Sequence, residues 1–194
     1  MIEVELRTFL TNKQYHDLTS FFISLDYDIK ETRQITYYFK GEKDFRLMIT
    51  TDYLMLWVKT GHIHDEARNE MIVKIDPKYK DDLIKMLHFL GYEEEIKWYR
   101  IRRELSYNEI SVTIDYTYGY GYIMEAEVLV KKEVEVKEAK QKLENLFKEL
   151  NIEISPKEIF KNKYEDYKVN WQVLTKDVDE SNFLTEKIED LVTV

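Results

Sequence analysis

The chain has 194 residues, with 35% charged and 44% apolar residues, a mix that fits one folded domain with a sizeable core and excludes a disordered or fibrous chain. Its 29 Lys and Arg against 38 Asp and Glu give a net charge of −9, which argues against a general nucleic-acid binder, since such binding rests on neutralising phosphates. The lack of cysteine excludes disulfides, thiol nucleophiles and Cys-based zinc sites. No apolar run reaches the roughly 18 residues of a spanning helix. The first residues, Met-Ile-Glu-Val-Glu-Leu-Arg, have no apolar signal-peptide region. The expectation is a cytoplasmic protein with no membrane and no nucleic-acid partner.

Taken in chain order, residues 2–8 alternate apolar and charged side chains, the period of a half-buried strand. Thr11 is placed to cap a helix running to about Leu25. Strands are predicted over 33–40, 44–50, 53–59 and 68–75. Asp76-Pro77 then opens a helix that Gly91 closes. Three more strands are read at 96–106, 109–117 and 121–131, and a helix at 133–150. Ser155-Pro156-Lys157-Glu158 has the pattern of a capping box opening another helix. Residues from about Asp177 onward are acidic and read as one short helix and a frayed end. The whole is α+β: about eight strands, four or five helices, one domain over 1–194, with the sheet over about 2–131 and helices over about 133–194.

The polar faces of these strands carry charges in runs. Glu3, Glu5 and Arg7 share one face, as do Arg100 and Arg102, Glu125 and Glu127, and Arg68 and Glu70, because side chains alternate with period two. Asp115 follows Ser111 and Thr113, Arg46 lies between Phe45 and Leu47, and Lys59 shares the parity of Trp57. Each pair alone reads as a solvated strand face. If the apolar faces meet the helices, the charged faces point together, and a closed barrel would enclose them. Such an interior is costly to desolvate unless it is wet and binds both cations and a polyanion.

Several of these residues form an ordered set that resembles the CYTH superfamily, the triphosphate tunnel metalloenzymes. Glu3-Val4-Glu5-Leu6-Arg7 resembles its ExExK signature. The stretch Asp115-x-Thr117-x-Gly119-Tyr120-Gly121-x-Ile123-x-Glu125-Ala126-Glu127 resembles its D-x-V-x-G-L-G-x-F-x-E-I-E. Arg100-x-Arg102 stands where the family has K-x-R. Arg46 resembles the first Arg of L-R-I-R, 56–61 resembles a strand ending L-T-x-K-G, and Arg68-x-Glu70 resembles R-x-E-x-E. The resemblance covers about residues 2–130. Arg7, Met48 and Ile72 depart from it, standing where the family has Lys, Arg and Glu.

The resemblance implies a closed antiparallel barrel with helices packed outside. It implies Mg²⁺ or Mn²⁺ on Glu3, Glu5, Asp115, Glu125 and Glu127, with Glu70 an optional addition. It also implies phosphate contacts from Arg7, Arg46, Lys59, Arg68, Arg100 and Arg102. Glu3, Glu5, Arg7 and Lys59 would be the catalytic residues. The activity implied is metal-dependent hydrolysis of a small-molecule triphosphate: inorganic, nucleoside or thiamine triphosphate. The alternatives are a class IV adenylyl cyclase and a non-catalytic polyphosphate or nucleotide binder, with a homodimer as a possible assembly.

Other residues read as structural. His62-Ile63-His64 are two ordinary loop histidines, Tyr116, Tyr118, Tyr120 and Tyr122 are sheet packing, and Trp57 and Trp98 are core on the outer face. The segment 164–167 is helix packing, with docking across a tunnel mouth as the alternative.

Overall fold

The computed structural model describes residues 2–59 and 70–186, and of Lys59 and Glu70 the backbone alone. One antiparallel sheet contains all eight strands: β1 (Ile2–Leu10), β2 (Lys30–Phe39), β3 (Asp44–Ile49), β4 (Leu54–Lys59), β5 (Glu70–Ile75), β6 (Glu94–Tyr107), β7 (Ile110–Thr117) and β8 (Gly121–Val130). Their order across the sheet is β1-β8-β7-β6-β2-β3-β4-β5. Among the described residues there are four α-helices, α1 (Asn12–Ser24), α2 (Lys80–Phe89), α3 (Val136–Glu149) and α4 (Lys157–Leu174). None of the described helices is long and apolar enough to cross a membrane.

The expected closure takes another form. Among the described residues no ladder joins β1 to β5, and the sheet curls strongly instead, in the manner of a tunnel. Its convex face is the core. α1 and α3 bury Tyr15, Leu18, Phe22, Leu143 and Phe147 against Val112, Ile114, Met124 and Ala126. α2 sets Leu83 and Leu87 against Ile35, Leu47, Ile49, Leu54 and Ile101. Thr11 caps α1 in a reciprocal box with Gln14, as its position predicts.

Three local expectations are corrected. Asp76 caps a single 3-10 turn, Pro77–Tyr79, before α2 begins. Ser155 does not cap α4: its hydroxyl lies 2.8 Å from Thr8 Oγ1 and accepts from Phe9 N at 3.1 Å, so it ties the approach of α4 to β1 instead. Residues 175–185 form turns rather than a short helix, while residues 187–194, the 60–69 segment with His62 and His64, and Arg68 lie outside the described residues.

A further correction concerns helix placement. α4 does not pack outside with the others but lies against the concave face. Phe160 and Tyr167 are buried among Ile96, Trp98, Tyr120 and Ile123, with Phe9, Tyr38, Tyr164 and Trp171 at the margin. Tyr167 Oη donates to Lys97 O at 2.9 Å and Trp171 Nε1 to Glu95 O at 2.9 Å. Gly119, at φ +72°, permits this approach, because a Cβ there would stand 2.5 Å from Leu174 Cβ. The four tyrosines around this turn do pack: Tyr116 stacks on Tyr122 at 4.7 Å, and Tyr120 is buried beside Tyr167.

The curled sheet and its charged concave face

The strand register decides which side chains share a face. Glu5 stands opposite Glu127 and Arg7 opposite Glu125. Glu125 faces Thr113 across β7, and Asp115 faces Arg102 across β6. Arg100 pairs with Thr117 on one side and Gln34 on the other. Arg46 lies between Tyr38 and Trp57, and Lys59 lies opposite Asp44 and Glu70. Directly opposed residues point to the same side of a sheet, and so do residues two apart. Glu3, Glu5, Arg7, Arg46, Arg100, Arg102, Asp115, Glu125 and Glu127 therefore all belong to the concave face, and by register so do positions 59 and 70.

The bases on this face are held by acids. Arg102 donates from Nε to Asp115 Oδ1 at 3.0 Å and from Nη2 to Oδ2 at 2.6 Å, and it reaches Glu125 at 3.3 Å. Arg100 stands 3.4 Å from the same aspartate. Arg46 donates to both oxygens of Asp44, at 2.6 and 2.7 Å, and stacks 4.3 Å above the Tyr38 ring. Arg7 is less constrained, 3.9 Å from Glu5 and 4.0 Å from Glu125, over the Phe160 ring of α4. Asp115 thus faces the two arginines, whereas Glu3, Glu5, Glu125 and Glu127 occupy the neighbouring β1–β8 strip.

That strip is electrostatically strained. Burial pushes the Glu5 carboxyl up to about 7, and the charge of Glu125 adds to the rise; Arg7 opposes it, and Glu3 and Glu127 raise it further. Glu127 is raised as well, by burial and then by Glu3 and Glu125. Among the described residues no three acidic or histidine side chains stand together as a ready metal cluster. The donor chemistry nevertheless fits a hard dication: the groups are all carboxylate oxygens, and a positive ion would relieve their mutual repulsion.

Among the described residues, several buried polar atoms on concave-face positions lack a hydrogen-bond partner. Trp57 Nε1, Trp98 Nε1, Arg100 Nε, Thr113 Oγ1 and Thr117 Oγ1 make no hydrogen bond, and all five belong to concave-face positions. Such groups call for water or a ligand rich in acceptors. Trp57 and Trp98 are therefore not outer-face core. Their parity with Lys59 and Arg100 marked the concave side, but their size suggested packing. Tyr38, Asp44 and Glu104 are further concave-face residues not singled out from sequence. α4 covers one end of the face. A cavity of about 510 Å³, lined by Glu104, Ser106, Ser111, Glu127 and Leu129 among others, opens at the opposite end.

Solved structures share this fold. A conserved hypothetical protein from Pyrococcus furiosus superposes with a TM-score of 0.63 at 19% identity, covering 79% of this chain and 95% of that one. A Vibrio parahaemolyticus protein described as an adenylate cyclase candidate gives 0.58 at 17%, covering 80% and 90%. HpAC1 from Hippeastrum, an adenylyl cyclase candidate described as having a dominant triphosphatase activity, gives 0.58 at 16%, covering 79% and 89%. No family model matches the sequence, and no curated protein matches it. The likeness is one of fold.

Proposed function

We propose that this chain, which has the CYTH fold, is a divalent-metal-dependent hydrolase of a triphosphate compound bound on the concave face. The observation that carries this reading is the register itself. It brings acids from β1, β7 and β8 and bases from β1, β3 and β6 onto one face, where five buried polar atoms lack partners among the described residues.

Each residue has a role in this reading. Glu3, Glu5, Glu125 and Glu127 would hold Mg²⁺ or Mn²⁺, with Glu70 an optional addition; when bound, the ion would polarise phosphate oxygens and offset their charge. Asp115 acts on Arg100 and Arg102, fixing both guanidinium groups where they can grip phosphate oxygens in bidentate fashion. Arg46, held by Asp44, does the same from β3, and Arg7, Lys59 and Arg68 complete the set. In hydrolysis a water oxygen bonds to the terminal phosphorus, in line with the bridging oxygen, which leaves on the diphosphate portion. The fixed cations stabilise the charge that spreads over the transferred group. Arg7 carries charge but is no proton acceptor at ordinary pH.

One feature favours an organic triphosphate over the inorganic one. The β3–β5 portion of the concave face carries Met55, Trp57 and Ile72, with Met48 buried beside them and Arg46 and Lys74 at its margins, an apolar patch next to the ionic strip. A nucleoside or a thiamine-like group could lie there with its phosphates toward Arg100 and Arg102.

Phosphate release should be measured with Mg²⁺ and Mn²⁺ across tripolyphosphate, ATP and thiamine triphosphate, with cyclic AMP assayed in the ATP reaction. Metal-dependent phosphate release supports the hydrolase. Cyclic AMP and diphosphate as the main products identify a cyclase. Tight binding without turnover identifies a binder.

A further inference from the structure

The two edges of the sheet differ. β1 carries Glu3, Glu5 and Arg7 along its length, the kind of charge that discourages another strand from pairing. Among the described residues β5, at the other edge, pairs with β4 alone, and it reads Glu-Met-Ile-Val-Lys-Ile. Its middle residues Met71, Ile72 and Val73 are 62%, 51% and 57% exposed. Consecutive residues point to opposite faces, so this edge is open on both sides. An apolar strand at a sheet edge is a template for another strand.

The sequence of β5 is complementary to itself. In an antiparallel ladder between two copies, centred on Ile72, the concave side would set Ile72 against Ile72 of the second copy. Position 70, a glutamate, would stand opposite position 74, a lysine, on both sides of the axis. The convex side would pair Met71 with Val73 twice. Opposite charges and apolar pairs in register each favour a ladder, and one two-fold axis satisfies all five. A one-residue slip would set Ile72 against Met71 or Val73 of the copy and leave the charges unmatched. The concave faces of both copies would continue across the axis.

We propose that β5 is the homodimer interface of this chain, formed by antiparallel pairing of β5 with β5 of a second copy centred on Ile72. Six residues span about 20 Å, and a ladder of that length buries less than the roughly 1,200 Å² of a standard interface. The dimer is therefore reversible and concentration-dependent.

Sedimentation equilibrium of the full chain over a range reaching about 100 µM tests this. The expected result is a monomer–dimer equilibrium. Lys74→Glu, which sets like charges opposite position 70, weakens it by roughly tenfold, and Glu70→Lys combined with Lys74→Glu restores it. Circular dichroism confirms that each variant is folded. A wild-type chain that stays monomeric throughout overturns the proposal. So does a dimer indifferent to Lys74→Glu, or one that the double reversal fails to rescue. Pairing of β5 with β1 of the same chain would appear as a monomer and count against it equally.

Discussion

Arg102 and Asp115 face each other across β6 and β7 and are joined by three hydrogen bonds, of 3.0, 3.2 and 2.6 Å, with the aspartate side chain only 2% exposed. Removing one partner of such a pair leaves a buried charge uncompensated. Asp115→Ala should lower stability by about 3 kcal/mol, read by thermal or urea denaturation. Replacing both residues, as Asp115→Leu with Arg102→Met, should cost less than the single change. If the double variant is the weaker one, the two residues do not act as a compensated pair.

Glu5 gives a prediction of opposite sign. Its folded carboxyl titrates near 7 against an ordinary 4.5. The folded state therefore binds the proton more tightly, and stability falls as pH rises from 4.5 to 7. Glu5→Gln should raise the melting temperature of the metal-free protein at pH 8 by a few degrees and flatten that decline. It should also abolish metal-dependent turnover, a trade of activity for stability.

Glu180 provides the reverse slope, on the convex side of the sheet. It accepts from Lys97 Nζ at 2.9 Å, from Tyr99 Oη at 2.7 Å and from Tyr37 Oη. Burial alone would raise its carboxyl, but these donors outweigh burial and hold it below 4.5. The stability it adds is thus present above pH 4.5 and lost as pH falls through the lower folded value. Glu180→Gln should cost roughly 1.5 kcal/mol at pH 7, and the cost should shrink as pH falls below 4.5 toward pH 2. Chemical denaturation at the two pH values distinguishes this from a pH-independent packing loss.

The strands were legible because alternation with period two was nearly unbroken in β1, β7 and β8. Parity alone assigned the charges of each strand to one side; what it could not give was the order of strands, which comes from long-range pairing. The curl without a closing ladder, and the entry of α4 on the concave side, depend on contacts such as Gly119 against Leu174 that no local pattern encodes. The Ser155 pattern misled because a hydroxyl in a capping sequence can find a better partner across the fold, here Thr8 and the Phe9 amide. Asp115 fitted a metal set by residue type, and only its register opposite Arg102 shows it facing the bases.

Met48 separates the substrate readings. It stands on the concave side between Thr36 and Met55 and is only 6% exposed, so an arginine there must extend past Met55 to reach a phosphate. If the apolar patch accepts an organic group, Met48→Arg should lower KM for tripolyphosphate about tenfold while weakening discrimination in favour of the organic triphosphates. Steady-state kinetics on both substrate classes provides the check.

The most direct measurement compares phosphate release from a triphosphate, with and without Mn²⁺, in the wild-type chain and in Glu127→Gln. The wild type should turn over only with the metal, and the variant should fold normally yet lose at least a hundredfold in rate, the scale of a missing transition-state contact. Turnover in the variant equal to the wild type, or turnover indifferent to metal in both, would contradict the account.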